Sequence, residues 1–328
     1  MKKLFVILLT VVCTLISCDN KTGLITVKED HASVGKASEV MLIMDKEVWD
    51  TVFQDTIRAI LTQPQPFINQ DIPMFDILHL NSDLFTGNML HHFNIVHFEL
   101  NENITEPTIS IERDVWVKPQ IYVHIKSADQ PTAVKMFLEN QDAILTALYE
   151  NDLAKIQNSN LNKKNNDIEE LIRKKFGILL TVPQEYQLAR ETDDFIWLRY
   201  PTIKNDRFVM IYKSPTTKLT KENMIENRNR ISAKYIESKE HPEAHPVVLS
   251  EFGLPFVCPL QIGMHEGMEM RGLWETDLDW MGGSFYHYSF VKDGKYTISV
   301  DGFVYAPRDW TEKRDYLRQV EAIVKSVQ

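Results

Sequence analysis

Apolar residues along this chain repeat at two spacings, every second residue and every third or fourth. The order in which these spacings alternate points to an α+β fold. Val40 to Met44 is an apolar run of strand length. Asp45 is placed to cap a helix, and Val48, Trp49, Val52, Phe53, Ile57, Ile60 and Leu61 recur at helical spacing until Pro64. Strand patterns follow at Phe75 to Leu80, Ile95 to Leu100, Ile109 to Val117 and Gln120 to Lys126. Ser127 with Gln130 makes a capping-box pattern ahead of a helix through Val134, Phe137, Leu138, Ile144, Leu145 and Leu148, extending toward Ile156. Gln157 to Asn166 is polar and Asn-rich and reads as a bend or a frayed surface turn. Helical spacing resumes over Ile168 to Phe176 and stops at Gly177. This is the element order of a ferredoxin-like split β-α-β unit, so 34–176 is expected to form an N-terminal α+β half.

Residues 177–328 repeat the mixture. Ile178 to Val182, Phe195 to Tyr200 and Arg207 to Tyr212 read as strands, Lys221 to Tyr235 as a helix and Glu237 to Pro246 as a charged loop. Strands recur at Ser284 to Lys292 and Tyr296 to Tyr305, joined by the hairpin dipeptide Asp293-Gly294. A helix follows from about Thr311 to Val327. The expectation is two packed α/β-sandwich halves with mainly antiparallel sheets. The opening of the second, Phe176-Gly177-Ile178 with Leu180, Val182 and Pro183, resembles that of the photosystem-II-associated PsbP and Mog1 fold.

The N-terminus carries an address. Lys2 and Lys3 precede an apolar run from Leu4 to Ile16. That run falls short of the roughly 20 apolar residues that span a bilayer and fits the core of an export signal. It ends in Leu15-Ile16-Ser17-Cys18, which resembles the lipobox of bacterial lipoproteins. The resemblance implies that 1–17 is a cleaved signal and that Cys18 becomes the lipidated N-terminus, with palmitate among its acyl chains. Residues 18–33 then form a tether to the inner or outer membrane of the cell envelope.

The formal charge of −10 becomes −12 when Lys2 and Lys3 leave with the signal. No basic run appears, which argues against a nucleic-acid partner. An acidic body is repelled by anionic headgroups, leaving the bilayer contact to the acyl chains on Cys18. Of three cysteines, Cys13 departs and Cys18 is acylated, so Cys258 alone remains and no intramolecular disulfide is expected. Its neighbours Leu254 to Leu260 are mostly apolar, the setting of an inert thiol.

No set of residues reaches a catalytic signature. His265, Glu266 and Glu269 fall short of the zinc-protease pattern, because Glu269 stands where a second histidine is needed and Gly267 interrupts a helix. A polar surface turn is the expectation there, with no metal or cofactor assigned. His91, His92 and His97 read as hydrogen-bonded strand histidines. Gly282-Gly283-Ser284 lacks the glycine after serine of a nucleophile elbow. The densest stretch, Glu269 to Gly283, mixes tryptophan, arginine, carboxylates and glycine. Arg271, Trp274, Glu275, Asp279 and Trp280 form a candidate binding surface. The competing reading places Leu273, Trp274 and Trp280 in the core, with the glycines making turns.

Met270-Arg-Gly-Leu-Trp-Glu275, Met281-Gly-Gly283, Gly302-Phe-Val-Tyr-Ala-Pro307 and the charged run from Lys313 to Ala322 resemble a family of bacterial lipoproteins catalogued as domain of unknown function 4837. Met44-Asp-Lys-Glu-Val-Trp49 fits the same family near its start, so the likeness covers nearly the whole mature chain; Ser284 departs from it where proline is expected. The resemblance implies an envelope lipoprotein and no particular chemistry. The leading functional expectation is a non-enzymatic module that binds an envelope protein or small ligand. The alternatives are a hydrolase or metal-dependent enzyme with a site near 264–283, and a structural assembly subunit.

Overall fold

A computed structural model describes residues 32–49, 52–236, 244–248, 255–276, 281–309 and 311–328. The signal, Cys18, nearly all of the tether, most of the charged loop, Asp279 and Trp280 lie outside the described residues. No described helix is long and apolar enough to cross a membrane.

The α+β class with two sheets is as the patterns predict. Strands β1 (Glu39–Ile43), β2 (Asp76–Leu80), β3 (Asn94–Leu100), β4 (Thr108–Arg113) and β5 (Ile121–Ser127) form the first sheet, in the order β2-β1-β3-β5-β4. Its pairing departs from the ferredoxin-like expectation. β1 runs parallel to β2 and β3, β3 parallel to β5, and only β4 is antiparallel to its neighbour. The helices α1 (Lys46–Trp49) and α2 (Val52–Leu61) carry the chain back to its starting end before β2, the type of crossover that parallel pairing requires.

Helices α2, α3 (Gln130–Glu139) and α4 (Gln141–Asn162) cover one face of this sheet. Val40, Leu42, Val96, Phe98, Val123 and Ile125 meet Phe53, Ile57, Phe137 and Leu148 there. The opposite face is closed in part by Phe85, Val115 and Trp116 from loops. Two local expectations change. The cap of α3 is Asp129, whose side chain accepts from the Thr132 amide at 2.8 Å, while Ser127 ends β5. Gln157 to Asn162 is helix and not a bend, with Gln157 donating to the Ala322 carbonyl at 3.2 Å across to the second half.

Helix α5 (Asn166–Phe176) starts at Asn165, whose side chain accepts from the Ile168 amide. It stops at Gly177, which adopts φ 66° as the left-handed cap that glycine reaches most readily. Ile168, Ile172 and Phe176 join the core of the second sheet. By packing, the change of core therefore falls in the short link before α5 and not at Gly177.

The second sheet contains β6 (Gln187–Thr192), β7 (Phe195–Pro201), β8 (Asp206–Ser214), β9 (Val247–Val248), β10 (Phe256–Ile262), β11 (His265–Glu275), β12 (Gly282–Lys292) and β13 (Tyr296–Tyr305). Its order is β10-β11-β12-β13-β8-β7-β6, antiparallel throughout, with β9 beside β11. Alternate residues face opposite sides. Val209, Ile211, Tyr286, Tyr288 and Val300 meet α5 and α7 (Lys313–Val324). Phe208, Met210, Phe285 and Phe303 meet α6 (Lys221–Tyr235). The β12–β13 turn is as expected, with Asp293 at φ 54° and Gly294 at φ 66°.

Ile178 to Val182 is not a strand of either sheet. It runs beside the C-terminal residue, where Leu179 and Gln328 exchange backbone hydrogen bonds at 2.9 and 3.1 Å, and Ile178, Leu180 and Val182 fill the core.

Candidate functional site

The stretch from Met264 to Gly283, expected as turns or a polar surface, is mostly the long strand β11 and the start of β12. Strand geometry separates its residues. Trp274 points toward α6 and is 1% exposed, with its indole N–H donating to the Val304 carbonyl at 3.2 Å and its ring edge-on to Phe303. Gly283 lies opposite it in the register. A Cβ on Gly283 would stand 2.0 Å from the Val304 oxygen and 3.2 Å from the indole nitrogen. This glycine therefore admits the indole and does not make a turn. Trp274 is a core residue, so the exposed-surface reading does not hold for it.

Arg271 points to the other face and is used internally. Its Nη2 lies 3.1 Å from Glu269 Oε2 and 3.3 Å from Glu321 Oε1, and its guanidinium covers the Tyr286 ring. Glu275 is half-buried at the end of β11. His265 stacks on Phe290, and Glu266 sits on the strand face opposite His265 and Glu269. Among the described residues no group of three or more His, Cys, Asp or Glu side chains could hold a metal. Cys258 donates to Glu269 Oε1 at 3.2 Å; burial, with the Glu269 carboxylate, pushes its thiol up to about 11, the protonated state of a poor nucleophile.

The polar concentration lies instead at the seam where α4 packs on α7. Arg318 is fully buried. It donates to Asp152, to Ser38 Oγ at 2.7 Å, to Gln65 Oε1 at 3.2 Å and to the Met74 carbonyl at 2.7 Å, with Phe75 and Tyr149 rings against its guanidinium. Burial pushes the Asp152 carboxyl up, while Arg318 and the Ser38 amide pull it down. One turn toward the N-terminus of α7, Arg314 reaches Asp76 Oδ2 at 2.8 Å and the Pro73 carbonyl at 2.8 Å. Toward the C-terminus, Glu321 accepts from the Tyr149 hydroxyl and pairs with Arg271 and Lys325. Arg314, Arg318, Glu321 and Lys325 recur at helical spacing on one face. Three of them lie inside the charged run from Lys313 to Ala322, whose role the sequence did not disclose.

A cavity of about 280 Å³ opens beside this network. Asn160 and Lys163 border it from the first half, and Tyr186, Tyr200, Arg207 and Gln319 from the second. Arg207, on β8, is 8% exposed. It donates through Nη1 to Gln319 Oε1, and its guanidinium stacks on the Tyr200 ring at 3.9 Å with Tyr316 at 5.1 Å. Among the described residues no carboxylate pairs with it and its Nε has no partner. The Tyr186 hydroxyl is also buried without a partner, and burial raises its pKa.

A second array lies under α6, also unnoticed in the sequence. Asp301 accepts the Arg228 fork at 2.8 and 3.2 Å and lies 2.9 Å from His287 Nδ1; His287 Nε2 lies 2.7 Å from Ser289 Oγ. Carboxylate, imidazole and hydroxyl follow in the order of a hydrolase relay. Here Asp301 and His287 are fully buried, and Ser289 Oγ meets Ser299 Oγ at 2.7 Å. The signal was present as His-x-Ser on β12 facing Ser-x-Asp on β13.

On the partly open face of the first sheet, His97 and His124 are opposite each other in register and stack at 4.8 Å. Burial first, then His124 and Lys126, lower His97 from 6.5 to about 4. The unfolded chain therefore takes up this proton before the folded one. Stability is retained above pH 6.5 and falls as pH drops toward 4, by about 2–3 kcal/mol. His97→Gln should flatten the urea-midpoint profile between pH 7 and 4. A profile that keeps the wild-type slope would assign the pH response to other groups.

Residues 165–326 match the family model described as Domain of unknown function (DUF4837), and residues 33–161 match a separate one, Domain of unknown function (DUF8532). Met44 to Trp49 thus falls under the second model, and the first does not reach the N-terminal half. No curated protein matches the chain. Among solved structures, the Saccharomyces cerevisiae Ran-binding protein Mog1p is 8% identical, with a TM-score of 0.31 over 47% of this chain and 91% of its own. A protein of Bacteroides thetaiotaomicron VPI-5482 is 7% identical, with a TM-score of 0.24 over 46% of this chain and 44% of its own. The second half of the chain, over residues 165–326, belongs to the family described as Domain of unknown function (DUF4837).

Proposed function

We propose that this chain is a lipid-anchored envelope protein whose body binds a small ligand at the seam between its halves and performs no catalysis. The observation that carries the binding reading is Arg207, a buried cation with no carboxylate partner among the described residues, bordering a cavity lined by both halves. Ligand sites favour such junctions, and buried charges are ordinarily paired. Anchoring rests on Leu15-Ile16-Ser17-Cys18. Mass spectrometry of the mature N-terminus should find Cys18 acylated, and Cys18→Ala should shift the protein from the membrane to the soluble fraction. An unmodified N-terminus elsewhere, or unchanged partitioning, refutes the anchor.

The hydrolase alternative draws on the Asp301–His287–Ser289 order. Against it, the serine is buried and hydrogen-bonded to a second serine, and the carboxylate already carries an arginine. Ester and amide substrates should give no turnover. Turnover by the wild type that disappears in Ser289→Ala would establish the alternative.

A further inference from the structure

The seam cavity combines several features that bear on what it holds. Arg207 enters from β8 with one edge of its guanidinium occupied: Nη1 donates to Gln319. Among the described residues Nη2 and the buried Nε make no hydrogen bond, so the edge that a carboxylate grips with two parallel bonds carries no protein partner. The stacked Tyr200 and nearby Tyr316 rings fix the guanidinium plane and offset part of its charge without neutralising it. Tyr186 also lines the cavity, and its hydroxyl is a second buried polar group without a partner. Both residues are more than nine-tenths buried.

The lining carries two cations, Arg207 and Lys163, and one carboxylate, Glu185, for a formal charge of +1. That complements a monoanion; Glu185 opposes a second negative charge. Ile156, Pro183 and Ile323 supply apolar surface beside the polar groups. We propose that the seam cavity binds a small organic monocarboxylate, with Arg207 taking the carboxylate side-on, Tyr186 donating to it, and Ile156 and Ile323 contacting its apolar part. This assignment rests on the ligand-binding reading above and adds the chemical class and the residues that hold it.

The test is calorimetric titration of the full chain at neutral pH with benzoate, acetate, neutral benzamide and inorganic phosphate. The expected result is saturable benzoate binding, weaker acetate binding and none for benzamide. Arg207→Gln should weaken benzoate at least tenfold. Tyr186→Phe removes a hydroxyl with no partner, so it should not lower the ligand-free melting temperature, yet it should weaken benzoate several-fold. Its folding is thus secure even if the arginine variant proves unstable. Benzamide binding as well as benzoate, or wild-type benzoate affinity in both variants, overturns the carboxylate site. Arg207-dependent binding of phosphate without benzoate or acetate overturns the ligand class while sustaining the cavity as a ligand site. No binding of any probe that depends on Arg207 or Tyr186 overturns both.

Discussion

Asp152→Ala should destabilise the folded chain by about 3–5 kcal/mol, because removing one member of a buried ion pair leaves the other uncompensated. Arg318 is fully buried, and its remaining partners, Ser38, Gln65 and the Met74 carbonyl, are neutral. The substitution also removes the acceptor for the Ser38 amide at 3.0 Å and for Asn94 Nδ2 at 3.2 Å. Adding Arg318→Met should recover much of the loss, since a buried pair exchanged for apolar side chains is often neutral or stabilising. Urea denaturation of the wild type, both single variants and the double variant closes the cycle. A loss below about 1 kcal/mol for Asp152→Ala, or a double variant no better than the single, would show that the pair is not what holds the halves together.

For Trp274→Ala the expected cost is also about 3–5 kcal/mol, from lost apolar burial and the cavity left behind. The indole packs against Phe303 and Tyr305, and its N–H is the donor to Val304. Trp274→Phe should lose less, retaining an aromatic ring but leaving that hydrogen bond unmade. Gly283 cannot collapse into the vacated space, having no side chain to offer. Thermal melts and urea curves measure the loss directly. A Trp274→Ala variant as stable as the wild type would contradict the packing of β11 on β12.

Local features were legible where a short stretch determines its own conformation. Lys221–Tyr235 begins after Thr220, whose hydroxyl accepts from the Asn223 amide, and its bounds agree with the apolar spacing. Gly177 and Asp293-Gly294 have the backbone angles their residue types favour. What escaped notice depends on distant partners. Edge strand β6 is mostly exposed and β10 is only partly buried, so neither shows clean apolar alternation. β11 reads as polar because one face meets Glu321 and the other the α6 core. The parallel pairing of the first sheet depends on where crossovers return the chain. Of the candidate residues, Arg271, Trp274 and Glu275 proved to belong to one strand with different surroundings, whereas Arg207 carried no local motif at all. A single arginine in an apolar strand becomes informative only when its neighbours are known.

The seam also bears on the order of folding during synthesis. Arg318 bonds to Ser38 across a sequence separation of 280 residues, among the first and last described segments of the chain. A chain synthesised from its N-terminus delivers Ser38, the Met74 carbonyl and Asp152 long before the helix that satisfies them. Until that helix arrives, water solvates these groups and the sheet beneath them lacks its closing contact. Such distant pairing slows completion of the fold. The emerging protein thus carries an open seam until α7, the last described helix, forms the latch that unites its halves.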